Sequence, residues 1–251
     1  MRHKLLLSVF FAAAAAACGG GDQAPAPVQQ TGTKRVDPLT AAAVSGRVSF
    51  EGQAPAPAVL STSADRACDK GGGPLYDESL LVDAGGGVRN TFVYVKEGLG
   101  DYAFDVPAEP VVLDQKGCKY EPHVFGARVG QRIEILNSDT TLHNVHAMPQ
   151  KNEEFNQGMP LQGMKLNQTF TVAEVGVPFK CDVHGWMTSY GGIVAHPYFA
   201  VTDAAGHFSL PGLPPGTYTI EAWHEKLGTR TQQITIAPSQ PAQVTFSFTQ
   251  G

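Results

Sequence analysis

The sequence predicts an all-β protein built as sandwiches, and three observations carry that expectation. Short runs alternate apolar with polar residues and are rich in Val, Ile, Thr, Phe and Tyr, the pattern of a half-buried strand. Beyond the first 43 residues, no long segment repeats apolar residues at helical spacing. The 28 Gly and 18 Pro serve mainly as turn residues between the runs.

The 251-residue chain opens with Arg2, His3 and Lys4, then an apolar run from Leu5 to Ala17. That run is too short to span a bilayer as a free helix and reads as a secretion signal. Ala15-Ala16-Ala17-Cys18, followed by three glycines, is similar to a bacterial lipoprotein cleavage site. It implies a signal peptide over 1–18 and a lipidated Cys18 that anchors the protein to a membrane. Residues 19–43 are dominated by Gly, Pro, Ala, Gln and Thr without hydrophobic periodicity, and read as a flexible tether.

Three parts follow. Residues 44–100 hold strand-like runs at 46–50 and 91–95 and the loop carrying Cys68. Residues 101–195 hold runs at 131–135 and 168–172 and all the candidate ligands discussed below. Within them, residues 144–163 carry Met148, Met159 and two prolines and are expected to form a long loop, at most with a helical turn. Residues 196–251 hold runs at 217–221, 233–236 and 244–248. There, Asp203-Ala204-Ala205-Gly206 and Pro214-Pro215-Gly216 have turn chemistry.

Net charge is −5, and the charges are mixed along the chain. No basic run points to nucleic acid. No His-x-His pairs suit a trinuclear copper oxidase centre, and no phosphate-binding glycine loop or Ser-His-Asp grouping is assignable, so the protein is expected not to be an enzyme.

The cysteines are informative. Cys18 aside, three remain: Cys68, Cys118 and Cys181. An exported chain meets oxidising conditions in which paired cysteines bridge. The simplest assignment is a Cys68–Cys118 disulfide with Cys181 left as a metal-binding thiolate, although sequence alone leaves other pairings open.

Cys181 has the neighbours for that role. Cys181-Asp182-Val183-His184-Gly185-Trp186-Met187 places thiolate, imidazole and thioether at positions i, i+3 and i+6. Two imidazoles and a thiolate in a plane, with a weak axial thioether, hold Cu(I) and Cu(II) in nearly one geometry. A second histidine must come from a distant strand. His143 stands in Asn137-Ser138-Asp139-Thr140-Thr141-Leu142-His143-Asn144-Val145, after a strand-like run, with His146 as its rival. Zinc accepts Cys and His but gains little from Met, so Met187 argues for copper. Met148, Met159 and Met164 are read as packing rather than as a second Cu(I) site. His123 is read as a surface or packing residue at a strand edge, and His196, His207 and His224 as structural or exposed.

Tyr120-Glu121-Pro122-His123-Val124, Val129-Gly130-Gln131, Asn137-Ser138-Asp139, His143-Asn144-Val145 and Cys181-x-x-His184-x-x-Met187, taken in order, resemble the cupredoxin family, plastocyanins and amicyanins in particular. The resemblance covers about residues 108–195. It implies a Greek-key β-sandwich with one type 1 (blue) copper bound by His143, Cys181, His184 and Met187. It also implies that Asn144 holds the ligand loops together, and that His184 reaches the surface in an apolar patch as the electron port. Val183 departs from the Pro usual before the loop histidine, and Trp186 is bulky for this loop. These departures bear on the potential and the docking surface.

Residues 201–219 resemble carboxypeptidase regulatory-like (transthyretin-like) β-sandwich modules. Such a module usually begins with a Gly-x-Val strand, and Gly46-Arg47-Val48 is similar to one. Two arrangements stay open: residues 44–100 complete that smaller sandwich, or they pack on the larger one. Together these readings predict an exported, lipid-anchored electron carrier. Its partner would be a redox protein such as a cytochrome or a copper or quinol enzyme. A copper carrier or sensor without turnover, and a binding lipoprotein with a vestigial copper motif, are the alternatives.

Overall fold

The computed structural model describes residues 32–69 and 73–249. The signal peptide expected at 1–18, Cys18 and the expected tether up to residue 31 lie outside the described residues. Sixteen strands are present among the described residues, and no helix. In chain order they begin with β1 (Ala42–Glu51) and β2 (Phe92–Glu97). Then come β3 (Val111–Gln115), β4 (Tyr120–Glu121), β5 (Val124–Arg128), β6 (Arg132–Asn137), β7 (His143–Ala147), β8 (Phe155–Met159), β9 (Lys165–Thr169), β10 (Glu174–Lys180) and β11 (Thr188–Val194). The last are β12 (Phe199–Val201), β13 (His207–Leu213), β14 (Gly216–His224), β15 (Gly228–Ile236) and β16 (Ala242–Thr249).

The strands make two sandwiches, and the all-β expectation holds. The larger consists of a five-stranded sheet, β5-β11-β10-β7-β8, facing a four-stranded sheet, β4-β3-β6-β9. Leu113, Ile133 and Ile135 from one sheet and Val145, Val177, Phe179 and Ile193 from the other are fully buried between them. Alternation accounts for this: along β6 the pattern Arg-Ile-Glu-Ile-Leu-Asn turns both isoleucines inward while Glu134 stays partly exposed.

The smaller sandwich draws on both ends of the described chain. β1 lies between β13, to which it is antiparallel, and β16, to which it is parallel. β2 lies between β12 and β14, with β15 on the outer edge of β14. The two strands of residues 44–100 thus belong to the C-terminal sandwich, and the nine-stranded unit is inserted between them and the rest. The described residues between β1 and β2 form no named strand, and some of them reach the larger sandwich.

Two expectations are corrected. Residues 33–43 are not free tether: Thr33 and Arg35 bond Asp101 and Asp105, Lys34 bridges Tyr102, and β1 begins at Ala42. Residues 144–163 are not a loop but largely a hairpin, with β7 paired in register to β8 from His143–Met159 to Ala147–Phe155. Period two is hidden there because His143, Asn144 and Val145 are all buried. β9 also lies earlier than the run at 168–172 suggests.

The sandwiches meet along a third, small apolar cluster of Phe92, Val124 and Val194, packed with Tyr190, Phe199 and Trp223. Glycines let the sheets approach. A Cβ on Gly192 would sit 2.4 Å from the Phe92 ring, and one on Gly126 would sit 2.2 Å from Phe199. His123, read above as a surface or packing residue, is buried at this seam and bonds Glu225 of the smaller unit. Gly192→Ala is expected to cost about 1–3 kcal/mol through overpacking, read as a fall in the denaturant midpoint. An unchanged midpoint would mean that the seam is not tightly packed.

Candidate metal centre

The larger sandwich brings the strand ends of β7, β10 and β11 together at one pole. Cys181 follows β10, Met187 precedes β11, and the connecting turn carries His184. This turn is closed by its own backbone: Cys181 N–H donates to Met187 O (3.2 Å) and Met187 N–H to His184 O (2.9 Å). His184 N–H points at Cys181 Sγ from 3.3 Å. His143 arrives on the neighbouring β7. His143, Cys181, His184 and Met187 are all buried, none more than 3% exposed.

The donor atoms converge. One imidazole nitrogen of His143, one of His184 and Cys181 Sγ lie within 4.8 Å of one another. The two Nδ1 atoms are 2.9 Å apart, and Cys181 Sγ is 3.9 Å from His184 Nδ1. Cys181 is the free cysteine among the described residues. Met187 lies in the same buried cluster.

The outer edges of both rings face carboxylates. His143 Nε2 is 3.0 Å from Asp139 Oδ2, and His184 Nε2 is 2.9 Å from Asp65 Oδ2. Ala67 N–H, then the Thr141 hydroxyl and then His184 hold the Asp65 carboxyl down to about 2. Burial pushes Asp139 up, but His143 and the Cys118 and Gly117 N–H groups outweigh it, and its carboxyl lies below the usual range. Both acids are therefore ionised and accept an N–H from each Nε2. That assigns the inward-facing Nδ1 atoms as lone-pair donors.

Charge follows the same geometry. Burial lowers His143, but Asp139 and the Cys181 sulfur more than reverse this and raise it to about 9. Burial raises the Cys181 thiol, but His143 and the N–H groups of Asn144, His184 and Val183 overcome it and lower it. The two shifts run in opposite senses, toward an imidazolium–thiolate pair whose proton a metal cation can replace. A buried thiolate beside two oriented imidazole nitrogens fits a soft or borderline cation.

Asn144 fastens the two ligand loops. Its Oδ1 accepts Asp182 N–H (2.5 Å), and its amide donates to Asn156 and Asp182. His146 lies on the other side of β7, as an offset of three along a strand requires, and pairs with Glu154 and Asp182 near the surface. Met159 is fully buried in the core and Met164 packs against it. His224 is also buried, whereas His207 is exposed.

Two features were not legible. The first is the pair of carboxylates: Asp139 stands in a motif singled out above, but Asp65 lies 119 residues from His184. The second corrects an expectation, because His184 does not reach the surface and is only 3% exposed. The loop around Asp65 covers it, fixed by the Cys68–Cys118 disulfide. Trp186 leans on the His184 ring, its centroid 5.1 Å away, and donates its indole N–H to Cys118 O.

Residues 193–249 match the carboxypeptidase regulatory-like domain. No curated protein matches the chain. Solved structures similar to part of it include a Cu-containing nitrite reductase from Thermus scotoductus SA-01, at 22% identity and a TM-score of 0.33, covering 36% of this chain and 24% of that one. An oxidised amicyanin variant matches at 22% identity and a TM-score of 0.31, covering 40% and 97%. A purple cupredoxin from Nitrosopumilus maritimus matches at 19% and 0.29, covering 33% and 98%. The chain thus spans about a quarter of the nitrite reductase's length.

Protons and metal compete for His143 Nδ1, so the deprotonated ring is the binding form. Zn²⁺ affinity of the metal-free protein is expected to rise about tenfold per pH unit and to level off near His143's value of about 9. Affinity that is flat across neutral pH, measured by competition with a chromophoric chelator, would contradict the imidazolium–thiolate pair.

Proposed function

We propose that the protein is an electron carrier of the cell envelope that holds one type 1 copper at His143, Cys181, His184 and Met187. The observation that carries this reading is the buried convergence of the Cys181 sulfur and one nitrogen each of His143 and His184 from adjoining strand ends. Copper held there would supply a one-electron couple. The residues supply the rest. Cys181 would give it a strong, covalent donor, His143 and His184 two imidazole nitrogens, and Met187 a weak thioether.

Rigidity supports the same reading. The ligand turn is closed by its own hydrogen bonds, Asn144 ties it to β7, and both rings are held from behind. Such a set changes little when the charge at its centre changes by one. The ligand residues are sealed from solvent, which suits electron transfer better than turnover of a bound substrate. On this reading Cys18 carries the lipid anchor, and a redox protein such as a cytochrome exchanges electrons with the site. A carrier that binds copper without turnover differs in lacking a reversible couple, so voltammetry separates the two.

A copper-loaded sample is expected to show an intense visible thiolate-to-Cu(II) band that Cys181→Ser abolishes. Absence of that band in the unsubstituted protein would rule out the type 1 site. His143→Ala is expected to destroy the native spectrum and His146→Ala to preserve it; the reverse would exchange their roles. Met187→Leu is expected to retain copper and raise the reduction potential, and a lowered potential would contradict a weak axial donor.

A further inference from the structure

The loop at residues 60–69 is not part of the nine-stranded sandwich, yet it supplies the group that holds His184. Asp65 spends both carboxylate oxygens on this arrangement. Oδ1 accepts Ala67 N–H at 2.7 Å, while Oδ2 accepts the Thr141 hydroxyl at 2.8 Å and the His184 ring N–H at 2.9 Å. Cys68 N–H closes the turn by donating to Asp65 O. The disulfide then straddles both ring–carboxylate pairs. Cys68 Sγ lies within 4.8 Å of Asp65 and His184 donor atoms, and Cys118 Sγ within 4.8 Å of those of Asp139 and His143. Cys118 and Gly117 N–H groups also donate to Asp139. The cross-link thus ties the loop that carries Asp65 to the turn whose N–H groups hold Asp139.

We propose that Asp65 is a positioning residue for the metal centre, delivered by a disulfide-locked cap that orients His184 and closes its outer edge. This rests on the copper reading above. A carboxylate behind a ligand imidazole fixes the tautomer, aims Nδ1 inward and makes that nitrogen a stronger donor. Its negative charge also favours the more positive metal state. The cap therefore does two things at once. It lowers the potential of the site, and it removes the histidine edge from the surface available to a docking partner.

The test compares Asp65→Ala and Asp65→Asn with the unsubstituted full-length protein. Asparagine keeps an oxygen acceptor and loses the charge; alanine loses both. In the metal-free protein, the His184 ring N–H, observed by nitrogen-edited NMR, is expected to exchange slowly in the unsubstituted chain and in Asp65→Asn, and to be lost to fast exchange in Asp65→Ala. With copper bound, the reduction potential is expected to rise in Asp65→Asn and to rise further in Asp65→Ala. Copper affinity is expected to fall about 10- to 100-fold in Asp65→Ala and less in Asp65→Asn. A merely structural cap would leave the potential of Asp65→Asn unchanged, and that result overturns the proposal. So does a ring proton that exchanges equally fast in all three proteins. If the unsubstituted protein binds copper without a blue band, the type 1 reading falls, and the metal-free ring-proton comparison alone decides for or against Asp65.

Discussion

Two hydrogen bonds, from His143 Nε2 to Asp139 and from His184 Nε2 to Asp65, determine what the pole of the larger sandwich can do. Each ring has two nitrogens, and a carboxylate behind one leaves the other as a lone pair. Because both rings place a nitrogen within 4.8 Å of the same buried sulfur, the site is short of positive charge. One proton meets that need in the metal-free protein, and a metal cation can meet it better.

The rest of the molecule holds those bonds in place. β7, β10 and β11 align because Phe179, Val145 and Ile193 bury their side chains between the sheets of the larger unit. Asp139 follows β6 in a turn stabilised by Asn137, which donates its amide to Thr141 O and Met159 O. Asp65 comes from a loop between two strands of the smaller sandwich. The seam of glycines and aromatic rings keeps the two units at a fixed separation, and the disulfide fixes the loop directly. The smaller sandwich thus has a physical part in the candidate metal centre although it contributes none of the inward-facing donors.

Much of this was legible in the chain. Alternation revealed β1, β2, β6 and β14 to β16, most plainly in β16, where core and solvent sides alternate residue by residue. It failed for β7, where three consecutive residues are buried, and for β8, an edge strand whose Asn156, Gln157 and Gly158 give no apolar signal. The converging donors were readable because Cys181, His184 and Met187 share one turn. Asp65 was not readable, since nothing local marks a carboxylate whose partner is 119 residues away. The exposed position expected for His184 failed for the same reason: the covering loop belongs to a different part of the chain.

The central claim is that copper sits among Cys181 and the inward-facing nitrogens of His143 and His184. X-ray absorption at the copper edge of the loaded protein reads that directly. The account predicts one short sulfur scatterer and two imidazole groups, unchanged in number between the oxidised and reduced forms. Copper with no short sulfur contact, or a copper environment made of oxygen and nitrogen alone, would contradict it.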